Sequence, residues 1–150
     1  MNKLVRIIAT FFYIGDIPVA PGTVASAAGA LISIALLYNP AAYLAVLAAV
    51  LFLGFFVSGK MEIIAKEHDP SCIVIDEVAG AMITFFLLPF TAPVFITAFF
   101  VFRAFDMFKV FPANRLENIK GGAGIMADDI MAGVYANLIM QIVIRITSIS

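Results

Sequence analysis

Residues 40–58 read "PAAYLAVLAAVLFLGFFVS", nineteen positions without a charge. A helix of that length rises roughly 28 Å at about 1.5 Å per residue, close to the roughly 30 Å of a hydrocarbon core. The preceding run, "PGTVASAAGALISIALLY" (21–38), starts on a proline suited to the first helical position and is rich in small residues that allow close helix packing. Only "YNP" (38–40) joins the two runs, so they pair as an antiparallel hairpin. The whole chain follows this pattern: 150 residues, 63% hydrophobic, with a mean hydropathy of +1.09. Those values lie outside the range of soluble globular proteins and predict an all-α, integral-membrane helical bundle forming one domain over 1–150.

Toward the N-terminus, "MNKLVRIIATFFYIG" (1–15) joins a basic start to a short apolar run, with "ASA" at 25–27 placed like a cleavage site. An apolar run of only about eight residues is at the low edge for a signal peptide. An interfacial helix held by Lys3 and Arg6 is the better expectation. Toward the C-terminus, "GKMEIIAKEHDPS" (59–71) is polar, and Asp69-Pro70-Ser71 reads as a helix start. A helix over 71–88, a break at "PFTAP" (89–93) and a second helix ending near 108 form a short hairpin. Its first arm, from Asp76 to Leu88, covers only about 20 Å, so it is shorter than a bilayer or lies behind the other helices. The polar stretch "VFPANRLENIKGGAGIMADD" (110–129) leads into a last helix at 130–146. The sum is an N-terminal interfacial helix and four or five more.

Alternating helices put residues 1–20, 59–77 and 103–129 on one side. That set holds eight of the nine basic residues and all ten acidic ones, while the turns at 38–41 and 89–93 are uncharged. Arg145 is the exception, about 24 Å along the last helix from Asp129, where it can snorkel to the opposite interface. Reading 78–102 as one span would split the charged set and is disfavoured. The positive-inside bias assigns the charged face to the cytoplasm.

At helix ends on that face stand Asp16, Asp76, Glu77, Arg103, Asp106, Lys109, Asp128 and Asp129. Oxygen ligands at this density, without a Cys/His set, suit Mg²⁺ before Zn²⁺, and ionisable groups at a bilayer edge point to function. Blander readings stand beside this one. Asp128 and Asp129 could cap the last helix, Asp76 and Glu77 could be a polar flank, and Arg103 and Asp106 could be a local i,i+3 pair. "GDIPVAPGTVAS" (15–26) offers backbone N–H groups at Gly22 and hydroxyls at Thr23 and Ser26 to an anion, or is simply a packed helix start. Gly80 and Gly133 leave room for a neighbouring helix or ligand. His68 reads as solvated and Cys72 as a small apolar residue. No nucleophile motif or phosphate loop is present, and no basic stripe suggests nucleic acid. Nothing in the sequence signals an oligomeric state.

Four blocks, "PVAPGTVAS" (18–26), "DEVAG" (76–80), "FRAFDMFK" (102–109) and "GGAGIMADDIMAG" (121–133), resemble the bacterial phosphatidylglycerophosphatase A family, in family order over nearly the whole chain. The family's usual "KPxP" is "KVFP" here (109–112), and its "GTxGS" is "GTVAS", with Ala25 in place of a glycine. The resemblance implies Mg²⁺-dependent hydrolysis of the terminal phosphate of phosphatidylglycerophosphate at the cytoplasmic membrane, acting on a lipid substrate in the bilayer. Its acidic motif residues fall on Asp76, Glu77, Asp106, Asp128 and Asp129, and its basic ones on Arg103 and Lys109. The expectation is that Asp76, Glu77, Asp128 and Asp129 hold Mg²⁺ and that Arg103 and Lys109 bind phosphate, aided by Gly22, Thr23, Ser26, Gly121 and Gly122. Asp106 orients Arg103 or completes the metal site. Attack by water is expected, with an aspartyl-phosphate route as the competitor. A head-group phosphotransferase and a cation carrier are the alternatives; the first lacks the D-G-x-x-A-R signature and the second lacks polarity on the far side.

Overall fold

A computed structural model describes residues 3–111, 113–116 and 119–147; Pro112 of "KVFP" lies outside the described residues. The chain runs through α1 (Lys3–Ala9), a 3-10 turn (Ile14–Asp16), α2 (Pro21–Ala35), α3 (Pro40–Ala65), α4 (Ile75–Phe85), α5 (Ala92–Phe108), α6 (Ala113–Leu116) and α7 (Gly122–Thr147). Among the described residues there is no strand.

The short apolar segment carrying Asp76 and Glu77 becomes the centre. α4 buries nearly every residue, with α2, α3, α5 and α7 packed around it. At eleven residues it is only about 16 Å long, and it lies behind the longer helices as its length suggested. Small residues set how close the neighbours come. A Cβ at Gly133 of α7 would lie 2.4 Å from the Gly80 carbonyl oxygen, and one at Gly80 would lie 2.7 Å from the Asp129 carbonyl oxygen. The two backbones are therefore nearly in contact, and the acids of α4 and α7 meet because nothing larger than hydrogen separates the helices.

Three boundaries differ from the sequence reading: the end of α3 and the starts of α4 and α7. α3 continues through "GKMEIIA" to Ala65, because Val57 and Met61 pack with Val5 and Ala9 of α1 and with Ile73. Asp69-Pro70-Ser71 then forms a turn rather than a helix start, with Asp69 left-handed (φ 51°) and the Ile73 N–H donating to the Pro70 carbonyl at 2.9 Å. α7 begins at Gly122, eight residues before the expected 130, so Asp128 and Asp129 lie well inside it and do not cap it. The early start has a packing cause: a Cβ at Gly122 would lie 1.9 Å from the Phe55 carbonyl oxygen, so the first turn of α7 presses on α3.

The far end of α4 stops inside the bundle. There Asn137 of α7 donates to the Thr84 and Phe86 carbonyls at 2.9 and 2.8 Å, replacing helical partners that the terminus lacks. Asn137→Leu is expected to destabilise the protein by about 1–3 kcal/mol, since both carbonyls lose a buried donor. A drop in the midpoint of thermal unfolding checks it; an unchanged midpoint would contradict it.

α3 and α7, 26 residues each, are long and apolar enough to cross a membrane, and only 28% and 22% of their most apolar windows is buried inside the bundle. Outward-facing Leu31, Phe52, Phe100 and Ile142 extend this apolar exterior. The uncharged turns meet at one end, where Leu37 and Pro40 share a crevice with Phe86 and Leu87. The charged segments converge at the other.

Candidate active site

At the charged end a cavity of about 470 Å³ opens between four helices and one loop. Gly22 and Thr23 at the start of α2 form one wall, and Asp76 and Glu77 of α4 form the floor. Arg103, Asp106 and Lys109 come from the end of α5, Asp128 and Asp129 from α7, and Asp69 and Ser71 from the α3–α4 turn. All seven residues expected to do chemistry line this one space.

Asp76, Glu77 and Asp129 each present a carboxylate oxygen, and the three lie within 4.8 Å of one another. Each of these residues also has a buried carboxylate oxygen with no hydrogen-bond partner: Asp76 Oδ1, Glu77 Oε2 and Asp129 Oδ1. An unpaired buried carboxylate oxygen is costly, and three together favour uptake of positive charge, as a cation or as protons. Gly22 makes room for this trio, since a Cβ there would lie 2.2 Å from Glu77 Oε1.

The other two carboxylates are occupied differently. Asp128 receives Lys109 Nζ on Oδ2 at 3.0 Å and the Asp129 N–H on Oδ1 at 3.0 Å, so both of its oxygens have partners. Asp128 stands outside the trio, whose mutually close oxygens belong to Asp76, Glu77 and Asp129. Asp106 pairs with Arg103 Nη1, which also donates to Ser26 Oγ at 3.2 Å, while Ser26 donates to the Gly22 carbonyl at 2.7 Å. Arg103 is thereby tied to both α5 and α2. Lys109 ends α5 in a left-handed conformation (φ 43°), where the chain leaves the helix. Two anchored cations thus share a cavity with six carboxylates, counting Asp69, and the N-terminus of α2, a positive dipole end, opens onto the same space.

Gly121 and Gly122 do not join the site. The Gly121 N–H donates to Glu62 Oε2 at 2.6 Å, and Gly122 is pressed onto α3, so these glycines fix the start of α7. Ser26 stands behind Arg103 and does not line the cavity, and Ala25 is buried among Tyr43, Val74 and Val78. Asp16 holds Arg6 at 2.9 Å on the surface, raising the guanidinium's pKa. His68 is half-exposed, with Nδ1 2.5 Å from Glu62 Oε1. Burial pushes the Cys72 thiol up, away from thiolate chemistry. Asp69 and Ser71 were not singled out from sequence, because "DPS" has the composition of a helix start; the proline inside that tripeptide was the available sign of a rigid turn.

Carboxylates and cations facing one another across one cavity equip a helical enzyme for phosphate-ester hydrolysis. The chain belongs to the phosphatidylglycerophosphatase A family, whose model matches residues 7–144. It is 34% identical over 140 residues to phosphatidylglycerophosphatase A of Haemophilus influenzae, covering 91% of this chain and 86% of that one. With the Escherichia coli protein of the same name it shares 32% identity over 139 residues, 91% of this chain and 81% of the other. A Bacteroides thetaiotaomicron relative, 37% identical over 148 residues and 91% of each chain, carries the provisional name phosphatidylinositol-3-phosphatase. No solved structure matches.

Proposed function

We propose that this protein is a Mg²⁺-dependent phosphatase of the cytoplasmic membrane that removes the terminal phosphate of phosphatidylglycerophosphate, leaving phosphatidylglycerol. The observation that carries the reading is the trio of partnerless buried carboxylate oxygens on Asp76, Glu77 and Asp129, facing Arg103 and Lys109 across one cavity. An all-oxygen donor set of this size and charge fits Mg²⁺, and these three residues would hold it. Bound there, the ion would supply Lewis-acid charge to the phosphoryl group and lower the pKa of water.

The chain's own residues account for the rest. Arg103, fixed by Asp106 and Ser26, and Lys109, fixed by Asp128, neutralise the phosphoryl oxygens as charge spreads over them. Water attacks phosphorus, the bond from phosphorus to the head-group oxygen breaks, and the alcohol leaves with a proton. Water is favoured over a carboxylate nucleophile because the trio serves the cation while Asp106 and Asp128 serve the two basic side chains.

The apolar exteriors of α3 and α7 support insertion in a bilayer. Collection of the charged segments at one end, with the uncharged turns at the other, supports a cytoplasmic site. A lipid could then place its head group in the cavity while its acyl chains stay among lipid.

Purified protein given phosphatidylglycerophosphate, with and without Mg²⁺, tests the reading. Phosphate release is expected with Mg²⁺ and not after chelation, and Arg103→Ala is expected to lower it by about 10²–10³-fold, the range for removing one group aimed at transition-state charge. Release unaffected by chelation, or by Arg103→Ala in folded protein, would refute it.

A further inference from the structure

We propose that the α3–α4 turn selects the alcohol half of the substrate: Asp69 and Ser71 bind hydroxyl groups of a polyol head group while its phosphate lies against Arg103 and Lys109. The inference rests on the phosphatase reading above. It starts from size. The cavity of about 470 Å³ is many times the roughly 30 Å³ share of one water, so a phosphate group fills only part of it. The remaining volume must suit what the phosphate is attached to.

The chemistry of the walls divides accordingly. Arg103 and Lys109 and the carboxylates on α4, α5 and α7 have the roles already given. Asp69 and Ser71 line the same cavity, are exposed to it, and make no hydrogen bond or ion pair among the described residues. A carboxylate repels phosphate and accepts hydrogen bonds from hydroxyls, and a serine hydroxyl both donates and accepts. Phosphate is therefore steered to the α5 wall and the neutral hydroxyl-bearing carbons to the turn.

The turn is held in place before any ligand arrives. Pro70 between the two residues is buried, the Ile73 N–H donates to its carbonyl, and the Val74 N–H donates to the Ala9 carbonyl at 3.0 Å. Asp69 keeps a left-handed backbone (φ 51°), which aspartate tolerates better than most residues. Two polar groups on a fixed backbone are preorganised for a hydroxyl, and a site built to bond a hydroxyl discriminates against an analogue lacking it.

The substrate class is a lipid phosphomonoester with a free hydroxyl on a carbon next to the phosphorylated one. Glycerol and inositol head groups, for which the relatives are named, both have it. Phosphatidic acid has none at that place.

The test compares kcat/KM for phosphatidylglycerophosphate, phosphatidylinositol 3-phosphate and phosphatidic acid in mixed micelles, for wild type, Asp69→Ala and Ser71→Ala. Wild type is expected to prefer at least one polyol lipid over phosphatidic acid, and the arm that is preferred identifies the head group. Each substitution is expected to reduce that preference about tenfold, the worth of one lost hydrogen bond, with the Mg²⁺ concentration for half-maximal rate unchanged. Ser71→Ala keeps the test sound if Asp69→Ala fails to fold. Equal losses on all three lipids, an unchanged preference, or a shift in Mg²⁺ half-saturation would overturn the proposal. Wild type inactive on every lipid would overturn the phosphatase reading and this inference with it.

Discussion

Asp129→Asn is expected to lower phosphate release by about 10³-fold while the protein folds normally. Asp129 is only 3% exposed, and its Oδ1 is one of three buried carboxylate oxygens without a partner. Asparagine keeps the shape but turns one acceptor into a donor and removes the charge that would attract a cation. Without metal the variant should be at least as stable as wild type, because one member of a mutually repelling trio is gone. Asp128→Asn is the control. It leaves the trio intact and loosens Lys109, so the Mg²⁺ concentration for half-maximal rate should hold while KM rises about tenfold. Rate against Mg²⁺ concentration for both variants, with thermal unfolding alongside, checks the pair. Identical behaviour of the two variants would sink the division of labour between these neighbouring aspartates.

Gly133→Val is expected to remove activity without touching a single site residue. A Cβ at 133 would lie 2.4 Å from the Gly80 carbonyl oxygen and 3.1 Å from Ile83 Cβ, and the first of these is backbone that cannot swing aside. α7 must then move off α4, separating Asp129 from Asp76 and Glu77. Overpacking of this kind costs about 3 kcal/mol, beyond the helix propensity difference, in which valine in fact exceeds glycine. Thermal unfolding and phosphate release should fall together, with Gly133→Ala intermediate. Wild-type stability and turnover in the valine variant would mean that the two helices do not meet there.

Much of the site was legible because charge is scarce in this chain. With apolar residues nearly everywhere, the few acids and bases stand out, and the alternation of helices was enough to send Asp76, Glu77, Arg103, Asp106, Lys109, Asp128 and Asp129 to one end. Helix boundaries were harder to read. α3 exposes apolar residues on its outer face and buries others inward, so hydrophobic periodicity does not mark where it stops, and its last turns were read as a polar loop. The start of α7 was missed for a related reason: glycines at 121, 122 and 124 suggest a loop, yet Gly122 is there because α3 passes against it. The same contact keeps Gly121 and Gly122 off the cavity lining, and the Gly121 N–H donates to Glu62 instead.

The sequence by itself determined the helical class, the family and the end of the bundle where chemistry gathers, because segment composition and the order of charged blocks are local properties of the chain. Only the tertiary structure decided that Asp76, Glu77 and Asp129 form the trio while Asp128 holds Lys109, and that Asp69 and Ser71 face the same cavity. Neighbouring aspartates on one helix are chemically alike in sequence. They become different when α4 approaches one of them at glycine distance and the end of α5 brings a lysine to the other.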